Sequence, residues 1–181
     1  MDLKKQNISN KLRILFIISY AGNIILMLLS WVILSGDVAI HYGPGGVADR
    51  WVSSFTHSFN FMVLHTGLFI LFYFLPKLTF NLPDKWLFIP NKDYWLTPEN
   101  KSKAEDKLSG LIYKYGISVF ILLFGAGILS IQANLQKPVE LNVSLLLIFV
   151  FLFAVYSVIW SIELVKEFKT PKEKAPTNED G

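Results

Sequence analysis

Cysteine is absent from the chain. That excludes a disulfide framework, thiolate catalysis and any cysteine-ligated metal site. Histidine is scarce, with three copies at positions 41, 57 and 65. His41, Asp49 and His57 stand eight residues apart, a spacing that matches no compact zinc pattern, so no metal and no other cofactor is expected. The sequence has no Ser-His-Asp order, no phosphate-binding glycine loop in a strand-to-helix context and no paired carboxylates inside an apolar run. No catalytic residue is assigned, and an enzyme is the least favoured reading. Charge is scarce too: 17% of residues are charged against 52% hydrophobic. The apolar residues are clumped into long stretches rather than spread, which is the pattern of an integral membrane protein and not of a soluble core.

Four stretches are long enough to cross a bilayer. Residues 14–34 carry no charge. At ~1.5 Å per residue this run is about 31 Å long, the thickness of a hydrocarbon core. Basic residues precede it, as in a signal peptide, but the run is long for such a leader and no clear small-residue cleavage site follows, so it is read as a retained span. Residues 59–75, 111–131 and 143–164 complete the set, and residues 166–181 read as a disordered tail. The fold class is therefore an all-α membrane protein, a single four-helix domain over residues 1–165, with a small β-hairpin between helices 1 and 2.

Lysine and arginine set the orientation. Four lie before the first span, one in the first loop, six in the second loop, one in the third loop and four in the tail, with Lys114 embedded. Basic residues collect on the cytoplasmic side. The alternation predicts both termini inside, the first loop outside and a multi-pass protein of the bacterial cytoplasmic (inner) membrane. The net charge of +3 is thus a topology signal, and no nucleic-acid partner is expected.

The first loop holds the sequence His41-Tyr42-Gly43-Pro44-Gly45-Gly46-Val47-Ala48-Asp49-Arg50-Trp51. Short β-branched and aromatic pieces flank a Gly-Pro-Gly-Gly centre. Pro presets φ for the second turn position and Gly supplies positive φ at the third. A hairpin follows, with His41 on the face opposite Ile40 and Tyr42. Asp49 is expected to pair with His41 or Arg50 to hold the turn, and Trp51 to anchor it at the membrane interface. His41, Gly43, Gly46, Asp49, Arg50 and Trp51 form the candidate outer motif.

Three polar groups lie inside the spans. Ser19 and Asn23, with Ser30, share one helical face, as small and polar residues do where helices pack. His65 sits deep in the second span. An ionisable group at that depth is either neutral and hydrogen-bonded to a neighbouring helix, for instance to Asn23, or functional. His65, Asn23 and Ser19 form a candidate intramembrane polar site. In the third span Gly116, Phe120, Leu123, Gly127, Ser130 and Asn134 share a face and read as a packing stripe. Glu163, near the end of the fourth span, is expected to pair with Lys166.

The second loop alternates lysines with Trp86, Leu87, Phe88, Tyr94 and Trp95, which suits a segment lying along the headgroups with rings down and amines out. Thr97-Pro98-Glu99 reads as a helix start, with Thr97 as N-cap and a helix running from Pro98 to about Ala133. Asn91, Asp93, Tyr94, Trp95, Pro98 and Glu99 form the candidate cytoplasmic motif.

The stretch from Ile40 to Trp51 resembles the His-aromatic-(Asn/Gly)-x-x-Gly-x-x-Asp-x-aromatic signature of a bacterial membrane family of unknown function, a domain that also forms the N-terminal part of SdpI-type immunity proteins. Pro90-Asn91-Lys92-Asp93-Tyr94-Trp95-Leu96-Thr97-Pro98-Glu99 is similar to the Pro-Asn-(Arg/Lys)-Asp-Tyr-Trp-Leu-x-Pro-Glu segment of one branch of that family. With the order of the spans, the resemblance covers most of the chain. It implies a membrane address and this fold, and no established activity. The expected function is a non-catalytic sensing, immunity-like or partner-binding module. The alternative is a small oligomeric transporter or channel subunit using His65. The lipid bilayer is the expected surrounding, and a membrane-protein partner or a homo-oligomer is compatible with it.

Overall fold

The computed structural model describes residues 3–83, 86, 87 and 89–169. Lys85 and Phe88 of the second loop and residues 170–181 of the tail lie outside the described residues. The elements run α1 (Leu3–Ile33), β1 (Asp37–Tyr42), a 3₁₀ turn (Pro44–Gly46), β2 (Ala48–Ser53), α2 (Ser54–Asn81), α3 (Lys92–Trp95), α4 (Lys101–Leu135) and α5 (Val143–Glu167). Four of these helices, taken from Ser9 in the first, are long and apolar enough to cross a membrane. The chain is a multi-pass membrane protein with a two-stranded antiparallel hairpin between its first two spans.

Every spanning helix outruns its apolar stretch. α2 begins at Ser54, where the Ser53 hydroxyl caps it by accepting from the Thr56 amide at 3.2 Å. It continues through Pro76 to Asn81. Proline deletes one backbone hydrogen bond from the ladder but does not end the helix here, because neighbouring packing holds it: Pro76 itself is buried. The helix expected from Pro98 starts instead at Lys101, after a separate short α3. Thr97 is not its N-cap. Its hydroxyl donates back to the Tyr94 carbonyl at 3.1 Å, while its own carbonyl receives the Lys101 amide at 2.9 Å.

α4 is the central element, with α1, α2 and α5 all packed along it. Its small residues set the spacing. A Cβ on Gly116 would stand 2.6 Å from the Phe16 ring, and one on Gly127 would stand 3.0 Å from Leu26. Both glycines therefore let α1 approach, and Gly125 does the same for Phe149 of α5. Below this contact Phe16, fully buried, stacks on Phe69 at 5.2 Å and on Tyr113 at 5.5 Å and tilts against Phe120 at 5.6 Å. These rings fill the space between α1, α2 and α4. α5 has no buried residue and leans on α4 from the side. Trp160 donates to the Leu111 carbonyl at 2.8 Å, and Tyr115 meets Ser157 at 3.3 Å. Lys114 pairs with Glu163 across this contact. Glu163 thus binds a helix neighbour rather than Lys166, because α4 and α5 run antiparallel with Lys114 and Glu163 at the same level.

Candidate functional site

The hairpin is the first candidate. Gly43-Pro44-Gly45-Gly46 closes it, with the Gly46 amide on the Gly43 carbonyl at 3.0 Å. Gly45 has φ 79° and ψ −1°, the third-position geometry that glycine takes without strain. The strands pair Asp37 with Ser53, Val38 with Val52, Ala39 with Trp51, His41 with Arg50 and Tyr42 with Ala48. The register slips on either side of His41, so Ile40 and then Asp49 are extra residues in their strands. Such bulges re-aim side chains. Strict alternation, which places His41 opposite Ile40 and Tyr42, therefore fails here, and Ile40 and His41 are both exposed.

The bulged register brings His41 Nδ1 to 2.6 Å from Asp49 Oδ1. Both side chains are more than half exposed, at 57% and 51%, so the pair presents a polar feature to solvent and is screened by it. Gly43 lies beside it, since a Cβ there would stand 3.2 Å from Asp49 Oδ2. Arg50 and Trp51 are exposed neighbours on β2.

What fixes this hairpin is a residue from α4. Asn134 Oδ1 accepts the Ala39 amide at 2.8 Å, and its Nδ2 donates to the Ala39 carbonyl at 3.2 Å. One side-chain amide thus replaces a strand neighbour for a fully buried alanine. Asn134 Nδ2 also donates to the Tyr42 hydroxyl at 3.1 Å. Burial pushes that hydroxyl up from the ordinary tyrosine range, against the opposite pull of its hydrogen bonds to Ser130 and Asn134, and keeps it neutral. The α4–α5 connection adds a second clamp. Ala48 donates to Val139 at 3.2 Å, and Leu141 donates to Gly46 at 2.8 Å. Gly46, at φ 86°, sits so close that a Cβ would overlap the Leu141 carbonyl oxygen. Asn134 stands out in the sequence only as one member of a helical stripe; nothing in its spacing shows that it reaches a strand 95 residues earlier.

The second loop is built differently. Leu87, Ile89 and Trp95 are buried together with Phe80, Ala104, Leu108, Leu111, Ile112 and Phe168. Trp95 is 5% exposed, so it does not lie along the headgroups. Its indole donates to the Phe168 carbonyl at 2.9 Å, and Asn91 donates to the same oxygen at 2.8 Å. Asn91 itself is left-handed at φ 53°, a conformation asparagine tolerates. Lys107 donates to the Glu167 carbonyl at 2.9 Å and lies 5.2 Å from the Trp95 ring centroid. A cation there opposes the negative end of α5. Residues 166–168 accordingly belong to the folded domain: α5 extends to Glu167, and Phe168 is fully buried. The signal for Phe168 is slight, an aromatic residue alone among charges. Of the remaining motif residues, Tyr94 is half-buried against Trp95, and Asp93, Pro98 and Glu99 are exposed.

The third candidate lies within the membrane. Asn23 donates through Nδ2 to the Ser19 carbonyl at 2.9 Å and to the Phe120 carbonyl of α4 at 3.0 Å. His65 bonds through Nδ1 to the Phe61 carbonyl at 2.7 Å, within its own helix rather than to a neighbour. Its ring stacks on Phe61 at 4.2 Å and lies 6.1 Å from Phe120. Asn23 and His65 therefore converge on Phe120. Ser19 and Ser30 do not join them, each hydroxyl turning back to a carbonyl three residues earlier.

Among the described residues no three His, Asp or Glu side chains cluster in a way that could hold a metal ion. Comparison with protein-family models, with curated proteins and with solved structures found no match to the chain.

Proposed function

We propose that the chain is a non-catalytic sensing or partner-binding module of the bacterial cytoplasmic membrane, immunity-like in character, with both termini inside and the hairpin outside. The hairpin receives, and the joint around Trp95 answers on the cytoplasmic face. The observation that carries this reading is the placement of the His41–Asp49 pair. It stands exposed on a hairpin clamped to α4 by Asn134, and α4 runs without a break from that clamp to the Trp95 cluster. A contact at the hairpin thus has a stiff path of about 50 Å to the other end, at ~1.5 Å per residue of a 35-residue helix. The lysine distribution supports the orientation, and the resemblance of the two loops to the SdpI-related family supports the address. The partner expected is another membrane protein or a second copy of this chain. The test is complementation of a deletion strain. D49A is expected to reach the membrane at the wild-type level and fail to complement, and W95A to fail as well. Full complementation by both variants contradicts the proposal.

A second reading, a small oligomeric transporter or channel subunit, draws on one feature: His65 is 1% exposed and its Nε2 has no hydrogen-bond partner within the protein. Equal ion flux through vesicles carrying the wild type and H65L contradicts it.

A further inference from the structure

We infer that α1, α2 and α4 enclose an internal water site within the membrane, in which one water molecule donates to both His65 Nε2 and Asn23 Oδ1. The inference goes beyond the sensing reading and does not depend on it.

The tautomer follows from the partner. A carbonyl oxygen only accepts, so the 2.7 Å contact between His65 Nδ1 and the Phe61 carbonyl requires the proton on Nδ1. In a neutral imidazole Nε2 is then a bare acceptor. The Asn23 amide is fixed in the same way. Its Nδ2 faces two carbonyls, of Ser19 and Phe120, so Oδ1 is the free end and is also an acceptor. His65 and Asn23 are each 1% exposed, and both acceptor atoms are buried without a partner in the protein. Two acceptors cannot satisfy each other. A buried polar group without a partner is rare, and internal water with two or more polar neighbours is the usual remedy.

Both groups pack against Phe120. Asn23 is bound to the Phe120 carbonyl, and the His65 ring lies 6.1 Å from the Phe120 ring. Asn23 lies ten residues from the hairpin end of α1, and His65 eleven from the hairpin end of α2. At ~1.5 Å per residue both are about 15–17 Å from those helix ends, inside the apolar stretch of each helix. A donor that serves both must be small and carry two protons, which water does. The aromatic cluster of Phe16, Phe69, Tyr113 and Phe120 packs on the side toward the lysine-rich end. Toward the hairpin, Ser58 is buried two turns from His65, and its hydroxyl is likewise without a partner.

The test is solid-state NMR of the full chain in lipid bilayers at neutral pH, with 15N-labelled histidine. H65F identifies the His65 signals by difference against His41 and His57. The wild type is expected to show the Nδ1–H tautomer, with polarisation passing from water to His65 Nε2 at mixing times comparable to those for exposed His41. N23L is expected to slow that build-up at least threefold while leaving the His41 signal unchanged. The wild-type measurement stands alone if N23L does not fold. An Nε2 that receives nothing from water, an Nε2–H tautomer, or a doubly protonated ring donating directly to Asn23 each overturns the inference.

Discussion

The two ends of this bundle are held by opposite means. At the hairpin end the joints are polar: Asn134 binds both backbone groups of Ala39, and the α4–α5 connection exchanges backbone hydrogen bonds with Gly46 and Ala48. At the lysine-rich end the joint is mainly apolar, with Trp95 and Phe168 among nine buried side chains and with hydrogen bonds to the carbonyls of Glu167 and Phe168 at the end of α5. The difference lies in what each motif leaves over. The hairpin motif spends its backbone on structure and presents His41 and Asp49 to solvent, while the second-loop motif spends its most distinctive side chain, Trp95, on packing. Two stretches of equal sequence character thus do unequal work, and the proposed function accordingly gives recognition to the hairpin.

That contrast can be broken in graded ways. W95A removes a buried indole and its hydrogen bond and should cost about 3–5 kcal/mol. Hydrogen exchange should accelerate in α3 and the last turn of α5 and stay unchanged in the hairpin; equal acceleration at both ends would mean the joints are not separate. N134A leaves the buried Ala39 amide and carbonyl unpaired and should cost about 2–3 kcal/mol. Here exchange should rise in β1 and β2 and not in α3. G46A forces a side chain into a left-handed position against the Leu141 carbonyl, at about 1–3 kcal/mol. It should loosen the contact between the hairpin and the α4–α5 connection while the Asn134 clamp holds, so β1 should remain protected. E163Q should change thermal stability least, by about 0–1 kcal/mol, because its pair with Lys114 is about a third exposed and lies one turn from the end of α5.

The spans were readable because uninterrupted apolar runs of bilayer length have few other uses. Their ends were not. Ser9 to Arg13 and Lys101 to Lys107 are polar yet helical, since a helix can project beyond the lipid, and Pro76 reads as a terminator although α2 passes through it. The turn was legible because Pro44 and Gly45 fix local dihedral angles. The His41–Asp49 geometry depends on two bulges, which no local pattern announces. Trp95 reads as an interfacial ring because the residue that covers it, Phe168, lies 73 positions away. The inner site shows the same limit: the sequence places a histidine and an asparagine in apolar spans, but only the packing shows that both turn toward Phe120.

The proposed function requires the hairpin and the lysine-rich joint to lie across the membrane from one another. With no native cysteine, R50C and S102C each provide a single labelling site at an exposed position. In intact cells a membrane-impermeant thiol reagent should label R50C and leave S102C unreacted until the membrane is opened. Labelling of S102C in intact cells, or protection of R50C until lysis, would contradict the threading and the roles given to both ends.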